Sequence, residues 1–140
     1  MIVENMNQNT MPGGGSTFCL AACVVTVGRF YGRNASIADM VAKKAVASDG
    51  TVTNTNVYFN MSANKTIDYS KIKAEINNDH PVIIVGSSST SPTHFVVADS
   101  YTGAGNKESD FKVMDPWTGT HKQLNSCTIN KVNGYRTCTI

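Results

Sequence analysis

The sequence predicts an α+β fold in which helices come first and an antiparallel sheet follows. Three observations carry that expectation. Up to about His80 the chain holds three runs with helical spacing and helix-capping residues. After it come continuous or alternating apolar runs punctuated by Gly, Pro, Asn and Ser, which read as strands. No internal repeat and no low-complexity linker divides the 140 residues, so a single domain, residues 1–140, with one core is expected.

Taken in order, Met1 to Ser16 is irregular, with Pro12 and Gly13-Gly14-Gly15 forming a flexible approach. From Phe18 to Tyr31 the apolar positions Phe18, Ala21, Ala22, Val25, Val27 and Phe30 fit a mostly buried helix, and Gly32 supplies its stop. Ser36 caps a second helix over Ile37 to Ala47, with Asp39 in its first turn and Lys43-Lys44 near its end. Gly50 to Asn64 reads as a loop with a short strand. Asp68 opens a helix over Tyr69 to Asn77, closed by Asn-Asn-Asp and Pro81. PVIIVGSS, HFVVADSYTG and DFKVMDPWTG then read as three strands, with a surface turn over Gly103 to Ser109 between the second and third. GTHKQL and the residues from Tyr135 to Ile140 read as further short strands, and Asn133-Gly134 as a turn.

Composition narrows the function classes. Apolar residues make up 41% and charged residues 16%, a globular profile with a neutral polar surface. Net charge is +2 and the basic residues form no patch, so no nucleic-acid partner is expected. No apolar run approaches membrane-spanning length, and the N-terminus lacks the layout of a signal peptide. The four cysteines, Cys19, Cys23, Cys127 and Cys138, allow three pairings. A turn at Asn133-Gly134 would let Cys127 and Cys138 meet; a bridge there would point to an exported protein and free thiols to the cytoplasm. Cys19 and Cys23, one helical turn apart, make a poor disulfide on a regular helix. Neither pair has zinc-finger spacing, so no metal and no cofactor are expected.

Chemistry concentrates on three residues. Cys19 stands in the first turn of the N-terminal helix, where unsatisfied amides and the helix dipole favour a thiolate. His94 begins a strand after the hydroxyl-rich turn SSSTSPT, and Asp115 ends the neighbouring strand ahead of Pro116 and Trp117. Nucleophile, base and orienting carboxylate in that order are the parts needed for acyl transfer. Each residue also has a plainer reading: a buried thiol, a strand histidine bonded to a carbonyl, and an Asp-Pro turn starter. Cys23 reads as core, His80 and His121 as loop residues, and Asp99 as a rival to Asp115. Trp117 reads either as a shield for the His-Asp pair or as a substrate wall.

The run Cys19-Leu-Ala-Ala-Cys23, then Phe30-Tyr31-Gly32, then Ile37, resembles the cysteine peptidase domain of bacteriocin-exporting ABC transporters, the double-glycine leader peptidases. Further along, PVIIV, His-Phe-Val-Val and Asp-Pro resemble that family's strand, base and third-residue blocks, so the likeness runs from Phe18 to Leu124. The resemblance implies a papain-like fold and a stand-alone peptidase or amidase acting through an acyl-thioester on Cys19, with a peptide or protein as partner. It implies a Gln donor to the oxyanion. A groove bordered by the folded-back Gly-rich segment, with Phe18 and Leu20 at its edges and Trp117 as a wall, is expected to admit Gly or Ala before the scissile amide, as the leader peptidases do for Gly-Gly. In this chain Leu20 stands where the family has Gly, and Gly13 occupies the position six before the nucleophile where the family carries its Gln. The nearest Gln is Gln8, eleven before Cys19, so the Gly-rich segment has to loop out if Gln8 is to serve.

Two other readings share the fold: a catalytically impaired peptide-binding module, and a cell-wall peptide amidase of a bacterial or phage lysin. A quite different one takes MIVENMNQNTMPGG as the leader of a bacteriocin precursor, against which the long helix-then-sheet remainder counts. The sequence sets no oligomeric state.

Overall fold

A computed structural model describes residues 1–140. Helix α1, Cys19–Phe30, is buried from Ala21 to Gly28 and packs on the sheet through small residues. It ends where Gly32 adopts a φ of +79°, open to glycine at no steric cost. Helix α2, Ile37–Ala42, starts at Ser36, whose side chain accepts from the Asp39 amide. It stops short of the expected Ala47. Lys44 turns to a φ of 58°, and Val46 instead pairs with Val52 across a tight loop that buries Ala45 and Val46. Helix α3, Tyr69–Asn77, is capped by Asp68, which accepts from the Ser70 and Lys71 amides. Its Ile72 and Ile76, one turn apart, are the buried face.

Six antiparallel strands form one sheet: β1 (Asn60–Met61), β2 (Val82–Ser87), β3 (His94–Tyr101), β4 (Phe111–Asp115), β5 (Thr120–Gln123) and β6 (Lys131–Thr139). Their spatial order is β1-β6-β2-β3-β4-β5. The expected turn at Asn133-Gly134 does not exist, because β6 continues through it against β2, with Asn133 left out of the ladder at a bulge. Gly134 serves a close approach instead: a Cβ there would lie 2.6 Å from the Lys65 carbonyl oxygen. With no hairpin, Cys127 and Cys138 are not brought together, and all four cysteines are free thiols.

Strand alternation divides the core in two. Ile83, Phe95, Val97 and Met114 pack with α1, while Val82, Ile84, Val96, Ala98 and Val113 pack with Ile72 and Ile76 of α3. Because β3 and β4 are antiparallel, the start of β3 and the end of β4 fall at the same end of the sheet. Val97 and Met114 pair there, which brings His94 and Asp115 to that edge.

The N-terminal segment is a pinned strap, not a flexible approach. Val3, Met6 and Gln8 are buried, the Val3 amide donates to Asp99, and Thr26 Oγ1 donates to the Glu4 carbonyl. Residues 9–15 fold back on the strap through turns, with the Met11 amide on the Asn7 carbonyl and the Gly14 amide on the Met11 carbonyl. Gly14 is packed so closely that a Cβ would lie 2.5 Å from the Gln8 carbonyl oxygen. No helix of the chain is long and apolar enough to cross a membrane.

Candidate active site

Phe18 is the N-cap of α1 and offers no side-chain oxygen, and the first turn holds no acidic residue. The opening amides of the helix are therefore uncapped, and Cys19 is the first residue they surround. Its thiol is partly exposed, while Cys23 one turn on is buried. Burial pushes the Cys23 thiol well above its ordinary range; the same cause lifts Cys127 to about 11 and Cys138 to about 12. Three of the four thiols are thus held protonated and inert.

His94 is almost wholly buried, and its Nε2 meets Asp115 Oδ1 at 2.9 Å. The Cys19 thiol lines the same cleft and acts on the charge of the imidazole, with no hydrogen bond joining the two; Nδ1 has no partner in the fold. Burial of the imidazole acts downward on its pKa. The hydrogen bond and charge of Asp115, with the neighbouring Cys19, act upward and prevail, raising it to about 9. Asp115 shows the converse balance. Burial raises its pKa, but the hydrogen bonds from His94 and from the backbone of Thr128 and Trp117 lower it to about 2. Asp115 is fully buried and carries a full set of donors: the Trp117 amide reaches Oδ1 at 3.0 Å and the Thr128 amide reaches Oδ2 at 2.8 Å.

Those two amides are site components the sequence did not single out. Thr128 reaches Asp115 because the segment before β6 runs tightly past Gly86, where a Cβ would lie 2.5 Å from both Ile129 and the Lys131 carbonyl oxygen. The register shift between Val85 and Gly86 marks that approach. A glycine closing an apolar strand, VIIVG, is the available signal.

Cys19 and His94 share a cleft of about 350 Å³ with Ser16, Ser91, Thr128 and the exposed Trp117. Leu20 lies outside that cleft, in a second depression described below. Phe18 lines neither; it is packed in the core beneath α1. Gln8 is fully buried, with its Nε2 donating to the Ser16 carbonyl at 2.8 Å and the Gly15 carbonyl at 3.3 Å. Its Oε1 has no partner. Gln8 thus lies against the residues just before Cys19 but lines neither depression.

The remaining candidates separate cleanly. His121 is a strand residue on β5 rather than a loop residue, and its Nε2 meets Asp99 Oδ2 at 2.7 Å. Asp99 is therefore committed to His121 and to the Val3 amide, away from His94. His80 lies just past α3 and contacts Glu75 at 2.8 Å. No group of His, Cys, Asp and Glu side chains is arranged to hold a metal ion.

An uncapped helix start carrying an accessible thiol, against a buried imidazole–carboxylate pair on a sheet, invites comparison with known proteins. The sequence model of the Peptidase C39 like family matches residues 2–136. The chain belongs to that family. It is a family of papain-like cysteine peptidase type, and the helix-then-sheet order of this chain is its α+β, papain-like fold. The match begins within the strap that carries Gln8 and ends inside β6. No curated protein matches the chain.

Proposed function

We propose that the chain is a cysteine peptidase or amidase that cleaves a peptide bond through an acyl-thioester on Cys19. The observation that carries this reading is the single cleft in which Cys19 and His94 meet, with Asp115 bonded to the far side of the imidazole. Cys19 gives its proton to His94, and the imidazolium, held by Asp115, stabilises the thiolate. Sulfur attacks the scissile carbonyl, and the oxyanion faces the uncapped amide of Cys19. His94 then donates its proton to the leaving amine as the C–N bond breaks, leaving the acyl group on sulfur. Neutral His94 next takes a proton from water, hydroxide attacks the thioester, and the proton returns with release of the acid and Cys19.

Gln8 is the second oxyanion donor in this reading. Its N–H on Ser16 is firmly held, whereas the 3.3 Å contact to Gly15 is loose enough to be exchanged for the oxyanion. The residue just before the cut is small, Gly or Ala, since Gly50 and Thr17 close on each other beside Cys19; a Cβ on Gly50 would lie 2.4 Å from the Thr17 carbonyl oxygen.

The engagement of both Gln8 N–H groups with backbone carbonyls also favours a second reading, a peptide-binding module with impaired catalysis. One experiment separates them. Iodoacetamide near neutral pH should alkylate Cys19 far faster than Cys23, Cys127 or Cys138, read by peptide mass mapping. The wild type should hydrolyse peptides with Gly before the cut, and Cys19→Ala should abolish turnover. Rapid labelling with no turnover of any peptide would favour the binding module; an unreactive Cys19 would dismiss the peptidase.

A further inference from the structure

Cys19 lies between two depressions of nearly equal size. The first, with His94, is the cleft described above; the second, of about 360 Å³, joins Cys19 to Leu20, Val52 and Phe95, with the Asp49-Gly50-Thr51 turn along one side. The split follows from the strand: alternation sends His94 and Phe95 to opposite faces of β3, and α1 begins above that divide.

Chemistry assigns a direction to the two. The leaving amine must receive its proton from His94, so the leaving half of a substrate lies in the depression that contains His94. The acyl half, which stays bonded to sulfur, extends the other way, over Leu20, Val52 and Phe95. This step rests on the proposed peptidase reading.

The second depression combines the apolar side chains of Leu20, Val52 and Phe95 with Thr17, Thr51 and Thr93, and holds a single charged side chain. Asp49 is exposed, accepts from the Thr51 amide at 3.0 Å, and takes part in no ion pair of the chain. No Lys or Arg lines either depression. We propose that Asp49 is a specificity-determining residue: the acyl half of the substrate carries an aliphatic side chain behind its small terminal residue, and a basic residue next to it that faces Asp49. The hydrogen bonds from Thr51, led by its backbone amide, keep the Asp49 carboxyl below its ordinary pKa, so the charge is present at neutral pH.

The test uses peptides of matched length with Gly before the cut, varied behind it: Leu against Ala for the apolar side chains, Lys against Glu for the rim. Leu should exceed Ala by roughly tenfold or more in kcat/KM, as extra methylenes in an apolar pocket do. Lys should exceed Glu by about two- to tenfold at low salt, the range for a solvent-exposed charge pair, and the ratio should shrink in high salt. Asp49→Asn keeps an oxygen for the Thr51 amide, so the turn survives, and should remove most of the Lys preference. Asp49→Lys should invert it. The same peptides are titrated calorimetrically against Cys19→Ala, which reports selection without turnover. Cleavage with no Lys-over-Glu or Leu-over-Ala preference overturns the proposal and leaves the peptidase reading intact. Selective binding without cleavage by the wild type removes the peptidase reading and, with it, the assignment of an acyl half, so it overturns the proposal too. Indifference in both measurements, or a Lys preference untouched by Asp49→Asn, overturns the proposal.

Discussion

Replacing Asp115 with Asn should turn His94 from a mostly protonated group into a mostly neutral one at pH 7. Burial is the strongest single influence on the imidazole and acts downward; the Asp115 bond and charge are what chiefly outweigh it to give about 9. With a neutral carboxamide in place, the midpoint should fall from about 9 to the ordinary 6.5 or below. At about 1.4 kcal/mol for each tenfold change, the imidazolium loses on the order of 3 kcal/mol of support. The fold should survive. Asn offers one oxygen to two of the three donors on Asp115, so one buried donor goes unpaired, at about 1–3 kcal/mol. Asp115→Ala would strand all three donors and is the poorer variant. The assay is a carbon-detected NMR titration of the imidazole ring, with His80 and His121 as internal references. If the reading of the site is right, the same variant should lose about 10²–10⁴ in turnover at neutral pH, the range for general acid–base help. A His94 midpoint still near 9 in Asp115→Asn would refute the assignment of Asp115 as the group that sets it.

Other expectations follow from the same contacts. Gly14→Ala should cost about 1–3 kcal/mol of stability, measured by denaturant unfolding, because its Cβ would meet the Gln8 carbonyl oxygen at 2.5 Å and the strap cannot yield freely. Gln8→Ala should lower turnover by about 10²–10³, as for one lost oxyanion donor, and unchanged turnover would remove Gln8 from the mechanism. Deleting Met1 to Thr10 should do more than remove Gln8: it strips buried Val3 and Met6 from the core, at about 1.5–3 kcal/mol each, so the truncated chain should also unfold earlier. The His94–Asp115 pair should also shape stability against pH. His94 is raised in the folded state, so its contribution is complete below about 6.5 and disappears as pH climbs through about 9; Asp115 is lowered, so its contribution is complete above 3.8 and disappears as pH falls through about 2. Thermal unfolding across that range should show Asp115→Asn flattening the alkaline limb.

Local signals announced most of the architecture. Ser36 and Asp68 cap their helices as hydroxyl and carboxylate side chains do, and Gly32 ends α1 in the left-handed region that glycine favours. The apolar runs at Val82, His94 and Phe111 became strands close to where alternation and length placed them. What went unread depends on long-range packing. Helix α2 stops early because Val46 finds Val52, a partner outside the helical window. Asn133-Gly134 looks like a turn, yet Gly134 sits in a strand because Lys65 crosses it, and nothing adjacent in sequence records that crossing. The strap escapes a local reading for a related reason. Its polar and glycine-rich composition suggests mobility, while its order comes from single side chains, Val3, Met6 and Gln8, entering a core built by residues far along the chain.

The two histidine–aspartate pairs carry the harder lesson. His94–Asp115 and His121–Asp99 have nearly the same contact length, 2.9 and 2.7 Å, and both carboxylates are fully buried. Sequence could rank Asp99 only by its distance from His94 along one strand. The structure separates the pairs through a register shift between Ala98 and Ser100, in which Asp99 is the unpaired residue. That irregularity commits Asp99 to His121 and to the strap, whose Asn5 Oδ1 takes the remaining ring nitrogen of His121 at 2.6 Å. Both nitrogens of His121 are thus occupied by oxygens of the fold, so it has none to offer a substrate. His94 has one nitrogen on a carboxylate and no fold partner on the other, and it shares an open cleft with a thiol. The same two residue types therefore serve opposite ends: a pair with both nitrogens saturated fastens the strap, and a pair with one nitrogen left free in a cleft that holds a thiol can move a proton.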